Sequence, residues 1–273
     1  MKRSRDDKMN ERLNAITTKV TEHLHNVIEE FQITEDELKV ALQFLTEVGT
    51  SGEYPLLSDV LHVSIEVDRV THAVEHDGKS TESNVEGPLY REEAPIMSPP
   101  VHLSAVDETE DEILYVSGQV FSTKGEPLAK TLIDVWQANG KGDYENEDPT
   151  QPEFNLRGRF LTDEKGRYEF RTVVPGPYEI GKGGPVGELL KAIDRHAWRP
   201  AHIHFKISHP GFKSVTTMLF IDGDPWENSD SIGAVKKSLM LKLEECNDPD
   251  EKLRRGIDGK FYTSKYDFIL SPA

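Results

Sequence analysis

The chain has 273 residues, is 36% hydrophobic and 30% charged, and carries a formal net charge of −17. A surplus of acid on this scale argues against nucleic acid or an anionic membrane as a partner, because both attract cationic surfaces. The single cysteine, Cys246, excludes an intramolecular disulfide and any multi-thiolate zinc or iron–sulfur centre, and it fits a reducing compartment.

The opening MKRSRDDKMNERLN is charged and lacks the apolar core of a signal peptide, and no run approaches the ~18–20 apolar residues of a membrane span. The expectation is a cytoplasmic protein without membrane insertion. Residues 1–8 read as a disordered tail. From Met9, apolar residues at Leu13, Ile16, Val20, Leu24, Val27, Ile28 and Phe31 recur mostly every three or four positions, the period of an amphipathic helix. Thr34-Glu35-Asp36-Glu37 has the form of a capping box and opens a second helix, which Gly49 is placed to end. The mostly apolar stretch from Pro55 to about His76 reads as a third. His23, His25, His62, His72 and His76 have no second ligand type at useful spacing and read as structural or surface residues.

Glycines, prolines and acids then take over from Asp77 to about Glu112, a long connection that contains Glu86-Gly87-Pro88-Leu89-Tyr90. Beyond it the period becomes two. The alternation predicts strands at Ile113–Phe121, Thr131–Trp136, Gly158–Thr162, Tyr168–Val174, Ala201–Ser208, Ser214–Ile221 and Lys260–Phe268. Gly and Asp turn chemistry separates several of them. Helices are expected from Val186 to about His196 and from Ile232 to Leu243. The fold class is α+β and mainly β, an N-terminal helical region followed by an antiparallel β-sandwich domain. The boundaries fall at residues 1–84 and 85–273, with 85–112 as the connecting segment.

Within this frame Arg199-Pro200-Ala201-His202-Ile203-His204-Phe205 stands out. On a strand, residues i and i+2 share a face, so His202 and His204 lie side by side. Such a pair is half of a metal site, or equally two satisfied core histidines. Two loops following strands end on tyrosines, Asn139-Gly140-Lys141-Gly142-Asp143-Tyr144 and Pro175-Gly176-Pro177-Tyr178. Either tyrosine alone reads as an exposed aromatic.

Taken in order, DVWQANGKGDY, RGRFLTDEKGRYEFRTVVPGPY, RPAHIHF and FIDGDPW resemble the intradiol ring-cleavage dioxygenases. SDVLHVSIEVD and EGPLY extend the resemblance into the helical third, so that it covers the chain from about residue 10. The resemblance implies one non-haem Fe(3+) per chain, held by Tyr144, Tyr178, His202 and His204, with a small aromatic diol and O2 as substrates. It implies that Tyr178 is the ligand displaced by the diol and that it takes up a substrate proton, while Arg199 stabilises charge on the ring and its oxygens. The product would be a cis,cis-muconate. The substrate pocket it implies comprises Leu56, Asp59, Val85, Gly87, Pro88, Leu89, Tyr90, Ile180, Arg199 and Ile232.

Catechol is the expected substrate, from EGPLY, with hydroxyquinol as the alternative because Leu56-Leu57-Ser58-Asp59 offers a polar partner for a third ring hydroxyl. The family resemblance further implies a homodimer through the N-terminal helices, with a phospholipid between the copies. Two departures stand against the family pattern: Met218 where many members have Gln or His, and Gly181 in place of a frequent proline. The competing readings are a non-catalytic β-sandwich binding module and a zinc hydrolase built on the His pair. The second lacks an evident carboxylate ligand or base beside His202 and His204.

Overall fold

The structure, a computed structural model, describes residues 5–73, 78–105 and 111–273. What was expected of residues 1–4, His76 and Asp77 lies outside them. The chain divides into two compact units, one through Gly52 and the other from Glu53 onward.

The first unit is a pair of helices, α1 (Arg5–Phe31) and α2 (Glu35–Ser51). Helix α1 already runs at Arg5, so residues 5–8 are helical where a tail was expected; Lys8 and Met9 are good helix formers that carry the helix back. The capping box forms: the Glu37 amide donates to Thr34 Oγ1 at 3.3 Å and the Thr34 amide donates to Glu37 Oε2 at 2.8 Å. Helix α2 passes through Gly49 and ends at Gly52, whose φ of 75° supplies the left-handed cap.

The second unit opens with α3 (Tyr54–Val60) and α4 (Val63–Ala73) rather than one continuous helix. The break falls at His62, a non-glycine residue held at φ 59°. The strands follow: β1 (Val101–His102), β2 (Ile113–Ser122), β3 (Leu132–Gln137), β4 (Arg157–Leu161), β5 (Arg167–Val173), β6 (Tyr178–Glu179), β7 (Trp198–Arg199), β8 (His202–Ser208), β9 (Val215–Ile221), β10 (Met240–Leu241), β11 (Glu244–Glu245), β12 (Phe261–Lys265) and β13 (Phe268–Leu270), with α5 (Pro185–Ala192) before β7 and α6 (Pro249–Arg255) before β12. One sheet has the order β1-β5-β2-β12-β11, with β13 also on β2; the other has the order β10-β9-β8-β3-β4; β6 and β7 form a separate ribbon. The central ladders β2–β5, β4–β3–β8 and β8–β9 are antiparallel, as the alternation implied. Parallel pairs are added by β1, β10, β12 and β13.

Side chains from both sheets meet in one core, in which Phe170 lies 6.1 Å from Phe205 and Phe205 lies 5.1 Å from Phe268, centroid to centroid. The strand expected at Lys260–Phe268 is two pieces, β12 and β13, in one register along β2. The interruption faces Gly118, where a Cβ would sit 1.8 Å from the Tyr266 carbonyl oxygen, so only glycine fits. The helix expected at Ile232–Leu243 is a correction: Ile232 lies in a turn closed by the Gly233 amide on the Asp230 carbonyl, and apart from a single 3₁₀ turn at Lys237–Leu239 the chain then runs without helix into β10. Gly233 turns left-handed at φ 66°, and Leu239 and Leu241 are wholly buried in the core, which a helical course would not satisfy. Helix α6 was not anticipated, although Asp248 caps it, Pro249 starts it and Gly256 ends it. Among the described residues no helix is long and apolar enough to cross a membrane.

Candidate metal centre

The site forms where β8 runs between β3 and β9. His202 and His204 share the same face, as the strand period requires, and are 1% and 2% exposed. The Nε2 atoms of the two rings lie 3.1 Å apart. His202 Nδ1 is 2.7 Å from the Pro200 carbonyl, an acceptor that fixes the tautomer with the proton on Nδ1 and leaves the Nε2 lone pair turned inward. In register, Trp136 on β3 and Met218 on β9 flank His204.

The tyrosines arrive from two loops that are built against each other. The Gly176 amide donates to the Asn139 carbonyl at 2.9 Å, and Asn139 Oδ1 accepts from the Lys141 and Asp143 amides. Gly142, at φ 88°, lies so near the second loop that a Cβ would be 2.4 Å from the Pro177 oxygen and 3.0 Å from Tyr178 Cβ. The parent strands are tied as well. Gln137, at the end of β3, donates to the Val173 carbonyl of β5 and accepts from Thr172 Oγ1, all buried. Tyr144 and Tyr178 therefore meet edge to face, 5.5 Å apart. The ribbon of β6 and β7 sets Tyr178 directly opposite Arg199, whose Nη1 is 3.3 Å from both Tyr178 Oη and His202 Nε2. Tyr178 Oη is 3.5 Å from His202 Nε2.

Burial governs the ionisation of this cluster. Desolvation, then the Arg199 charge, pushes His202 down to about 3, and desolvation followed by His202 and Arg199 holds His204 well below the usual imidazole range. Both rings are neutral at physiological pH, the state in which imidazole binds metals. Desolvation raises both phenols; Tyr144 is raised further by Tyr178, while Arg199 partly relieves Tyr178. Tyr144 Oη is fully buried and makes no hydrogen bond of ordinary geometry, and His204 Nδ1 and Trp136 Nε1 are likewise unsatisfied. An unpartnered phenol, Tyr144, and a second phenol held by Arg199, beside two neutral imidazoles with Nε2 atoms facing each other, are a donor set that fits a highly charged cation. Among the described residues no group of three or more His, Cys, Asp and Glu offers an alternative metal cage.

The remaining residues singled out in the sequence are distributed around this cluster. Asp59 is buried on α3, and burial outweighs its Ser64 hydrogen bond and the Arg199 charge, so its carboxyl titrates above the usual range. Leu89, Tyr90 and Ile180 pack on the Trp136–Tyr144–Tyr178 cluster. Gly87 approaches His204 closely, a Cβ there being 3.5 Å from the ring. Val85 and Ile232 pack against the main core, Leu56 is half-buried on α3, and Pro88 is exposed. Met218 does not leave a gap: its Sδ lies 3.5 Å from Arg199 Nη2. Gly181 holds φ 68°, a conformation that proline cannot take.

Three supporting residues were missed in the sequence. Arg157 on β4 is 1% exposed; its guanidinium donates to Glu145 Oε2 at 2.6 Å, to the Leu89 carbonyl at 2.5 Å and to Asn146 Oδ1 at 3.0 Å, joining the Tyr144 loop to the connecting segment. Glu145 also accepts from Arg91. Asp230 binds Arg199. Arg157 shares its strand face with Arg159 and the exposed Leu161, opposite the core residue Phe160, so the alternation reads it as a surface arginine and gives no signal of its burial.

Residues 10–79 match the family described as "Catechol dioxygenase N terminus" and residues 85–272 match the one described as "Dioxygenase". The hydroxyquinol 1,2-dioxygenase of a Rhizobium species is 39% identical over 267 residues, covering 95% of this chain and 89% of that protein. The chlorocatechol 1,2-dioxygenase of Rhodococcus opacus is 35% identical over 266 residues, covering 96% of this chain and 98% of that protein. The crystal structure of hydroxyquinol 1,2-dioxygenase from a Pseudomonas putida strain superposes with a TM-score of 0.86 at 36% identity, over 96% of this chain and 92% of that one. The fold, a helical segment followed by two packed sheets, with a buried tyrosine–histidine centre on the face of β8 turned away from the common core, is that of an aromatic-ring dioxygenase. The chain belongs to the intradiol ring-cleavage dioxygenases.

Proposed function

We propose that Tyr144, Tyr178, His202 and His204 hold one ferric ion and that the protein uses it to cleave a 1,2-dihydroxylated ring between the hydroxylated carbons, adding both atoms of O2 to give a cis,cis-muconate. The observation that carries this reading is the convergence of two buried phenols, one of them (Tyr144) without any hydrogen-bond partner, with two neutral imidazoles on the central strand. Phenolate is a hard anionic donor suited to Fe(III), and imidazole suits iron equally. When bound, the ion supplies the positive charge that keeps the phenols ionised and activates the diol toward O2.

The chain's own residues do the rest. Tyr178 Oη, the phenol beside Arg199, is the base that receives a proton from the diol as it binds. Arg199, buried and permanently charged, stabilises negative charge on the substrate oxygens. Leu89, Tyr90 and Ile180 exclude water and orient the ring.

Asp59 bears on the choice of substrate. Its carboxyl is buried and costly to keep charged there, and a hydroxyl on the ring would repay part of that cost by donating to it. This favours hydroxyquinol, a ring with a third hydroxyl. Catechol, the substrate of other family relatives by name, is the second reading. Turnover of hydroxyquinol, catechol and protocatechuate side by side, in Asp59 and Asp59→Leu proteins, tests this: hydroxyquinol is expected to lead, with its advantage lost in the variant. Catechol turned over by the parent as well as hydroxyquinol, or a hydroxyquinol advantage that survives Asp59→Leu, would return the assignment to catechol.

The iron assignment predicts a red-brown protein with about one iron per chain; a colourless protein with stoichiometric zinc after expression in iron-replete medium would refute it. The first unit supports a homodimer. Leu13, Val20 and Leu24 of α1 are 62%, 52% and 56% exposed on one apolar stripe, a surface suited to a second copy or to lipid acyl chains. Light scattering at micromolar concentration is expected to show a dimer, and organic extraction with mass spectrometry reads any bound phospholipid.

A further inference from the structure

We infer that Asp230 is the positioning residue for Arg199: one buried carboxylate orients the arginine toward the reacting centre and, through the same oxygens, sets the turn that carries Ile232. The contact is an ion pair between two side chains that are 4% and 2% exposed, with Arg199 Nε donating to Asp230 Oδ1 at 3.2 Å. The carboxylate has further donors on the following turn: the Ile232 amide reaches Oδ1 at 3.4 Å and the Ala234 amide reaches Oδ2 at 2.9 Å. With a charged donor and two backbone donors in place, Asp230 is not free to rotate away.

The direction of the anchor matters. A guanidinium is planar, so a bond at Nε fixes the plane in which the two terminal nitrogens point. Here Nη1 is left facing Tyr178 Oη and His202 Nε2, while Nη2 has only the weak thioether acceptor of Met218 at 3.5 Å. The strong anchor thus lies at the back of the group and the weakly engaged edge lies toward the site. Asp59 feels the Arg199 charge as well, so a guanidinium released from Asp230 has a second carboxylate to turn toward. Ile232 follows Asp230 by two residues, and the adjoining Gly233 takes φ 66°, so the wall of the pocket and the orientation of the arginine depend on the same carboxylate.

The inference rests on the intradiol reading in one respect: Arg199 has to meet the bound diol. The test uses the iron-loaded full chain as Asp230→Asn, Arg199→Ala and the double variant. Asp230→Asn keeps shape and an acceptor oxygen and removes the charge. It is expected to keep its iron and its melting temperature within a few degrees, and to lose kcat by roughly 10- to 100-fold, part of the ~10²–10³-fold cost of deleting a charge-stabilising donor. KM is expected to move less than kcat. In the Arg199→Ala background the same substitution is expected to cost little more, because the two act as one unit. Equal fractional losses in both backgrounds would overturn the inference and leave Asp230 a merely structural residue.

A crystal structure of Asp230→Asn decides the matter without turnover. A guanidinium displaced from Tyr178 Oη supports the inference, and one that is unmoved overturns it. If Arg199→Ala alone keeps full kcat, the catalytic reading of Arg199 fails, and that crystal structure still judges Asp230. Should Asp230→Asn not fold, Asp230→Glu, which retains the charge one methylene further out, is read by the same measurements.

Discussion

Trp136 lies flat on His204, with ring centroids 4.7 Å apart and planes only 10° from parallel. Tyr90 packs on the same indole at 4.7 Å, and Lys206 sits 4.5 Å over the Tyr90 ring. The column runs from the surface to the metal-binding histidine proposed here, and it holds an imidazole whose Nδ1 has no hydrogen-bond partner to orient it. Packing replaces the usual hydrogen bond. Trp136→Leu is therefore expected to weaken iron retention roughly 10-fold or more, the scale on which residues supporting a ligand act. Competition against a chelator measures it, and unchanged retention would show that the column does not orient His204.

Gly142→Ala tests the fit of the two tyrosine loops. The new methyl has no room beside the Pro177 carbonyl, and the residue's φ of 88° disfavours any side chain. Tyr178 has to move while His202 and His204 stay on their strand. The expected result is a folded protein with a shifted or bleached tyrosinate absorption band; a band identical to that of the parent would contradict the crowding.

The buried pair of Arg157 and Glu145 gives a stability prediction. Arg157→Met removes the guanidinium from Glu145, Asn146 and the Leu89 carbonyl, and leaves Glu145 with Arg91 alone. Breaking one partner of a buried pair costs about 3–5 kcal/mol. Chemical denaturation should show a loss of this size. Replacing Glu145 by Gln in the Arg157→Met background should recover part of it, because a buried carboxylate that has lost one of its two cations is then gone.

Asp134 predicts a pH dependence. Burial, opposed by the Tyr90 hydrogen bond and nearby arginines, raises its carboxyl from 3.8 to about 6. The folded protein therefore holds this proton more tightly than the unfolded chain does. Stability from this group is fully present below about pH 4 and is lost as pH rises through 6. Asp134→Asn keeps an acceptor for Tyr90 Oη and removes the titration. The variant should gain in melting temperature over the parent as pH rises from about 4 to 7, and a constant difference across that range would exclude Asp134 as the source.

Much of this protein was legible before folding. Period-two alternation located β2, β3, β4, β5, β8 and β9 to within about a residue, because each strand has a face in a core that cannot accept a polar side chain. The capping box at Thr34 formed as read, since it involves only residues three apart. Errors arose where a distant contact outweighed a local preference. The stretch from Ile232 has helical spacing, yet Asp230 and the core took its backbone and its leucines. Tyr266 interrupts the last strand because Gly118, far away in sequence, admits its carbonyl.

For the site, the sequence by itself singled out the proposed donors: four residues of two types, two of them on one strand face, implied by an order of motifs that resembles a single family. It did not contain what holds them. That Arg199 pairs with Asp230, 31 residues on, that Arg157 joins the Tyr144 loop to Leu89, 68 residues back, and that strand register lays Trp136 on His204 are contacts no local pattern displays. The ionisation of the cluster is decided the same way. Imidazole and phenol have ordinary affinities for protons in an open chain; burial pushes both histidines down and both tyrosines up, and the fixed Arg199 charge reinforces the first shift while opposing the second.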